Sequence, residues 1–462
     1  MIRRALTRRL CYGMAFIISS MAYAQDCGMA ELIGDNLDLD TGETTNVGGV
    51  SAAYNSGDNE YRVVWFDSRI VGQNDVYAQR VSPSGELLGP NVTIIAGSNS
   101  QTDTAVAYDP TNNQYFITWR NQSDGPGSPG FNHAFGGLAS ATGGLIGSEF
   151  DVSNAGLEAT LAYNSTNNEY FLEARNFAGG GTAGIYGRRV SSAGDLLGGS
   201  ITIATAGAPA PAGQVAYNVN GNQYLATWRD QMAENLKGRI INADGSFGTS
   251  PFVISPMFPE SGLAASVAFD PISDRYLVVF SEFSAGGVYG QFVTGSGSLD
   301  GETFTIFTST SRLSPFAAYD EVNGVFLTAW VDSDRGAVSA QLLADDGSSL
   351  GGPLWIVGSG ASGVPRVVTN STEGGFIVAW VDRSNVPARA DVLAQLVGVT
   401  AVCRGDIDGD CDTDLSDLAA LLSAYGTSIG DPAYDPNADF DDDGDVDLTD
   451  LAYLLSDYGC TP

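Results

Sequence analysis

Histidine and lysine are almost missing from this chain of 462 residues: His133 and Lys237 are the only examples. A single histidine leaves no His-rich metal cluster, and nothing in the sequence pairs it with a nucleophile and an acid as a triad needs. Cation is scarce altogether, with 21 Lys and Arg against 54 Asp and Glu, a formal net charge of −33. That balance argues against contacts with nucleic-acid phosphates or with anionic lipid. No apolar run reaches the ~20 residues of a helical membrane span, and no glycine-rich loop of the phosphate-cradling kind is present.

The few cations are concentrated at the start. Arg3, Arg4, Arg8 and Arg9 precede an apolar run from Leu10 to about Met21, which ends in Ala22-Tyr23-Ala24. A basic segment, a short apolar segment and an A-x-A site predict a cleaved signal peptide over residues 1–24, hence a secreted or cell-surface protein. Cleavage removes four arginines and no acid, taking the net charge to −37, and leaves Cys27, Cys403, Cys411 and Cys460. An even count in an exported chain reads as two disulfides.

What the sequence has in abundance is repetition. Residues 106–119 recur in variant form at 52–65, 161–174, 215–228, 267–280, 317–330 and 367–380. The closing positions are Trp65, Trp119, Ala174, Trp228, Phe280, Trp330 and Trp380, spaced 54, 55, 54, 52, 50 and 50 apart. Each unit reads as four strands: an apolar run before the Tyr, an Asp-Pro-x-x-Asn-like turn, a Tyr-x-x-x-Trp strand of period two, then two more around a glycine turn. Such units resemble the blades of a β-propeller, and the expected fold is mainly β, a seven-bladed ring over residues 25–402.

The seventh unit stops after its third strand, near Val397. Ahead of the first unit, Glu31-Leu32-Ile33-Gly34 resembles the fourth-strand entry Glu86-Leu87-Leu88-Gly89. The N-terminal segment is therefore expected to complete the last blade and hide its edge. In that hairpin Cys27 and Cys403 fall at the open end, which predicts a Cys27–Cys403 latch and leaves Cys411–Cys460 in the tail. Cys403–Cys460 is the main competing pairing.

Residues 403–462 hold 16 Asp, no Glu and one Arg. A solvated acidic tail would show no spacing. Here the acids alternate from Asp406 through Asp408, Asp410, Asp412 and Asp414 to Asp417. They do so again from Asp439 through Asp441, Asp443, Asp445 and Asp447 to Asp450, 33 residues on. Acids at loop positions 1, 3, 5, 7, 9 and 12 supply the six to eight oxygens a hard cation needs, which predicts two Ca²⁺ ions. The expected ligands are Asp406, Asp408, Asp410, Asp412 and Asp417 in one loop, and Asp439, Asp441, Asp443, Asp445 and Asp450 in the other. Position 7 would ligate through its carbonyl and position 9 through water. An apolar helical segment ending in Gly426 or Gly459 follows each loop.

This doubled loop-and-helix resembles the type I dockerin family over about 60 residues, with Asp417 and Asp450 where an ordinary EF-hand carries Glu. The resemblance implies a small EF-hand-like helical domain and a cohesin-like or other cell-surface protein partner. Leu415-Ser416 and Leu448-Thr449 stand where the family selects that partner. Cys411 replaces the turn glycine of the first loop.

Within the ring, Asp103, Glu158 and Glu173, with Arg366 close in register, are candidates to line a channel. The plainer reading is solvated strand ends. Asp67, Asn121, Asn176, Asp230, Glu282, Asp332 and Asp382, two residues past each anchor, read as caps of the following turn. No unit carries a distinctive catalytic cluster, so no catalytic residue is assigned. The first reading is an exported, non-enzymatic recognition or scaffold domain for a polysaccharide or protein ligand, tethered through its tail. The alternative is a polysaccharide-degrading hydrolase of O-glycosyl bonds, which would need a carboxylate pair.

Overall fold

A computed structural model describes residues 29–40, 46–69, 73–97, 99–122, 133–153, 157–176, 184–205, 213–257, 265–282, 286–384, 390–400, 403, 405–410, 412–441 and 443–460. The signal peptide expected over 1–24 lies outside them, as do Cys27 and Cys411. The chain forms two compact units, one spanning 28–402 and one containing 403–461.

The larger unit is a seven-bladed β-propeller. Seven four-stranded antiparallel sheets follow one another along the chain, and six consist of four consecutive strands. Blade 1, for example, is Val47–Asn55, Glu60–Asp67, Asp75–Val81 and Val92–Ile95. Blade 7 contains Ala361–Thr369, Phe376–Asp382 and Asp391–Val399, and its fourth strand is Ala30–Asp38 from the other end of the unit. Ala30 pairs with Val399 and Asp38 with Leu393. Met29 N donates to Thr400 Oγ1 at 2.7 Å and Thr400 N returns a bond to Met29 O at 3.0 Å. The expected N-terminal closure is what the ring has.

The turn chemistry explains the repeat. In every blade an Asx side chain after the first strand accepts backbone N–H groups of the turn: Asn55, Asp109, Asn164, Asn218, Asp270, Asp320 and Asn370. The turn ends on a left-handed residue, Asn59, Asn113, Asn168, Asn222 and Asp274 having φ between 46° and 53°. Asn and Asp tolerate that region because a short polar side chain bonds locally. The same residues tie blades together: Asn164 Nδ2 donates to Asn222 Oδ1 at 2.9 Å, and Asn59 Nδ2 to Glu373 Oε1 at 2.7 Å.

The core is a set of aromatic-rich layers between blades. Trp65, Trp119, Trp330 and Trp380 are fully buried, and Trp65 packs in a cluster with Ile377, Ala379 and Val392 of blade 7, so the closing junction is as apolar as the others. Arg62 is also fully buried. It donates from blade 1 to the carbonyls of Ser140, Ala141 and Gly143 in blade 2, at 2.7, 3.3 and 2.5 Å. Of the residues past the anchors, Asp67, Asp230, Asp332 and Asp382 cap their turns, accepting the N–H of Arg69, Met232, Asp334 and Ser384, whereas Asn121 Oδ1 has no hydrogen-bond partner among the described residues.

Two other expectations fail. Glu173 is no solvated strand end: it is fully buried, opposite Thr160 on the second strand of blade 3, and neither carboxyl oxygen has a hydrogen-bond partner among the described residues. Burial pushes its pKa well above the usual carboxylate value. The Cys27–Cys403 latch is also overturned. Cys403 bonds Cys460, with Cα atoms 5.5 Å apart. The physical reason is a backbone exchange within the tail, described next, that brings Cys460 back to the module's start.

Candidate metal centre

The tail folds around two ten-residue helices, α1 (Leu415–Ala424) and α2 (Leu448–Asp457). Each begins with the same device. Asp414 caps α1, its carboxylate accepting from Ser416 N, while Asp417 at the third helical position reaches back to Asp414 N. Asp447 and Asp450 repeat this at α2. Such a reciprocal box satisfies donors that a helix start leaves open, and negative charge there opposes the helix dipole favourably.

The final acid of each loop is the pivot. Asp417 and Asp450 are fully buried. Asp417 Oδ1 accepts from Ile407 N at 2.7 Å, and Asp450 Oδ1 from Phe440 N at 2.6 Å, the residue 33 further on. The carboxylate thereby ties the start of its loop to the start of its helix. Around these pivots, Asp406, Asp408 and Asp417 each offer an oxygen within 4.8 Å of the others, as do Asp439, Asp441 and Asp450 in the second loop and Asp412, Asp414 and Asp417 in the first.

Of the ten expected ligands, the structure thus gathers Asp406, Asp408, Asp412 and Asp417, and Asp439, Asp441 and Asp450. Asp410, Asp443 and Asp445 lie outside these groups. Asp410 and Asp443 instead accept from Asp412 N and Asp445 N. Asp414, read from sequence as a water-mediated position, joins the first loop directly. Sequence reading missed Tyr434, whose hydroxyl donates to Asp439 Oδ2 at 2.6 Å, and Asp457, which accepts from Gly405 N and Thr413 Oγ1. Neither lies within a twelve-residue loop pattern, so spacing carried no signal for them.

The donor set suits a hard divalent cation. All candidate ligands are carboxylates, and two buried oxygens, Asp412 Oδ1 and Asp439 Oδ1, have no hydrogen-bond partner among the described residues. Lost hydration, then the neighbouring carboxylates, raise the pKa values of Asp408, Asp412 and Asp441; for Asp445 the charge of Asp443 comes first. Crowded anions with unpartnered oxygens fit a bound cation.

The two halves also clasp one another. Gly426 N donates to Val446 O and Val446 N to Thr427 O; 33 residues displaced, Gly459 N donates to Thr413 O and Thr413 N to Cys460 O. Each loop is thus held by the segment leaving the other loop's helix. A common core of Leu421, Ala424, Ala438, Val446 and Leu454 fills the space between. No helix among the described residues is long and apolar enough to cross a membrane. The Cys403–Cys460 disulfide is of a kind that persists outside the reducing cytoplasm.

No family model matches the chain, and no curated protein does. Solved structures match in number. Hydrazine synthase of Kuenenia stuttgartiensis is similar at 12% identity and a TM-score of 0.51, over 76% of this chain and 96% of that one. A protein of Dyadobacter fermentans aligns at 11% identity and 0.49, over 80% and 99%, and the WD40 domain of Toxoplasma gondii coronin at 9% and 0.48, over 82% and 87%. At these identities the likeness speaks to the fold alone, and that fold is the seven-bladed propeller.

Proposed function

We propose that this is an exported scaffold or recognition protein whose tail, organised by two Ca²⁺ ions in a dockerin-like manner, attaches a β-propeller to a partner protein. The observation that carries the reading is the duplicated geometry of the tail: two loops of carboxylates, each converging on a buried Asp, related by a constant offset of 33 residues. Calcium would be held by Asp406, Asp408, Asp412 and Asp417, and by Asp439, Asp441 and Asp450. Its charge offsets repulsion that otherwise opposes folding of the loops.

The attachment role is supported by what the same duplication leaves uncovered. Leu415, Leu422 and Tyr425 are exposed on the first half, and Leu448, Leu455 and Tyr458 in the equivalent places on the second. Six large apolar side chains outside a module with so small a core suit burial against another protein. The fitting partner is a cohesin-like or other cell-surface protein with an apolar docking face. The propeller then presents its own surface to a polysaccharide or protein ligand. Asp103 offers little as half of a hydrolytic pair, because Arg120 holds it at 3.2 Å.

Calorimetric titration of calcium into chelator-treated full-length protein tests the reading. Two sites are expected, one lost in Asp417→Ala and the other in Asp450→Ala. Absence of calcium binding in the folded wild-type chain would refute it.

A further inference from the structure

Along the propeller's axis the seven repeats carry different side chains. One side chain of each innermost strand stands level with the residue before the closing position of its repeat. Ser51 pairs with Val64, Ala105 with Thr118, Thr160 with Glu173, Ser266 with Val279, Phe316 with Ala329, and Arg366 with Ala379. Gln214, two residues before the Ala216–Leu225 pair, completes the ring, its carbonyl accepting from Thr227 Oγ1. Seven equivalent places are therefore filled by Ser, Ala, Thr, Gln, Ser, Phe and Arg.

Four of these side chains link blades. Ser51 Oγ accepts from Val106 N, Thr160 Oγ1 from Val215 N, Gln214 Oε1 from Val267 N and Ser266 Oγ from Ala317 N, at 3.0–3.2 Å. An innermost strand has no neighbour on its axial side, so alternate N–H groups point inward and need an acceptor. Ala105, Phe316 and Arg366 offer none, and the corresponding inward N–H groups belong to Leu161, Val367 and Ala52. Gln214 Oε1 also accepts from Ser266 Oγ. Gln214 Oε1 thus accepts twice, leaving its amide N–H groups, and the hydroxyls of Ser51 and Thr160, each accepting one bond, keep their donor hydrogens.

All of these except Ser266 line one cavity of about 110 Å³ on the axis, together with Phe316 and Arg366. Among the described residues no Asp or Glu lines it. Arg366 has no carboxylate partner among the described residues: its guanidinium makes a 3.3 Å bond to Pro365 O and lies 4.9 Å from the Phe316 ring centroid. Burial lowers its pKa to about 10, the cost of a desolvated cation without a counter-ion. Two acids of neighbouring blades are otherwise placed. Asp103 pairs with Arg120, and burial disfavours the charged form of Glu173, which stands behind Thr160.

We propose that this axial cavity is a binding site for a small carboxylate, held by Arg366 and by the donors of Ser51, Thr160 and Gln214. The guanidinium's planar fork matches a carboxylate's two oxygens. A single cation suits a monoanion better than a phosphate dianion, and Phe316, Leu161 and Val106 provide an apolar wall for the carbon body. Two sources share this chemistry: a free short organic acid, and the uronic acid of an acidic sugar. The proposal does not depend on the reading of the tail.

Calorimetry on the full chain, at constant ionic strength and pH 7, uses sodium acetate, sodium glucuronate, sodium phosphate and glucose. Binding of acetate points to free organic acids and binding of glucuronate alone to acidic sugars; either supports the site. Arg366→Gln should weaken it at least tenfold, and Arg366→Lys, which keeps the charge but loses the fork, severalfold. Should neither variant fold, a crystal structure of the wild type with the bound acid decides, since the carboxylate must lie on Arg366. No binding of either acid, equal binding of phosphate, glucose binding as tightly as glucuronate, unchanged affinity in Arg366→Gln, or a carboxylate located elsewhere would each overturn the proposal.

Discussion

Gln395 donates through Nε2 to the carbonyl of Ile33 at 2.9 Å, across 362 residues of sequence, and to that of Gly34 at 3.3 Å. Other blades make the same clamp locally: Gln79 to Gly89 O, Gln291 to Gly301 O and Gln341 to Gly351 O. The glycine lies in the left-handed region each time, with φ of 67° at Gly34 and 76° at Gly89, and in blade 7 the fourth strand bulges there. In blade 7 alone the clamp joins the two ends of the ring. Gln395→Leu should therefore destabilise the propeller by about 1–3 kcal/mol, through carbonyls left without a donor. Urea denaturation followed by tryptophan fluorescence measures it. The equivalent Gln341→Leu, which crosses no closure, provides the local comparison.

Glu173 predicts an unusual pH dependence. Its folded pKa is raised by burial above an ordinary carboxyl value of 4.5. The stability attributable to it is thus complete below that value, and is lost as pH rises toward and through the folded pKa. The slope approaches about 1.4 kcal/mol per pH unit for one proton. Glu173→Gln removes the slope, so its stability relative to wild type should improve as pH rises above 4.5 toward the folded pKa of Glu173. Parallel denaturation curves for the two proteins over that range would contradict this.

The Cys403–Cys460 bond closes 57 residues of chain around both loops. In the chain-entropy account a closure of this length contributes about 4 kcal/mol to the module. Cys460→Ser should leave the propeller's unfolding unchanged. It should raise the calcium concentration needed to develop helical circular dichroism.

Arg62 offers a test of blade-to-blade coupling. Arg62→Met keeps the apolar stem but strips three carbonyls of blade 2 of their donor. A loss of about 2–4 kcal/mol is expected, from buried acceptors left unpaired. Amide exchange should quicken at the junction of blades 1 and 2 ahead of the rest of the ring.

Much of this was legible in the residues. The Tyr-x-x-x-Trp spacing located seven blades, because an Asx turn and a period-two strand leave a fixed pattern. The likeness of Glu31–Gly34 to Glu86–Gly89 revealed closure, since both must supply the bulge glycine that a third-strand glutamine grips. The two acidic loops were visible because acids at alternate positions stand out in the sequence. The disulfide was not, because it depends on the Thr413–Cys460 clasp, a contact between distant segments. Arg366 was read beside Asp103 and Glu158, whereas it stands two places on, level with Ala105 and Thr160. The reason is local. The pairing slips between Ser362 and Arg366, as it does between Thr102 and Ala105, and bulges of different size are silent in a period-two pattern.

The shared seventh blade also fixes when the ring can exist. Strand Ala30–Asp38 is among the first segments of the ring to leave the ribosome, and its partner Asp391–Val399 among the last. Six blades assemble from neighbouring sequence as they emerge, but the first strand waits, unpaired, until nearly the whole domain has been made. Its hydrogen-bonding edge stays open to wrong partners throughout synthesis. The seal that makes the mature ring resistant to unravelling is thus also its latest and most vulnerable folding event.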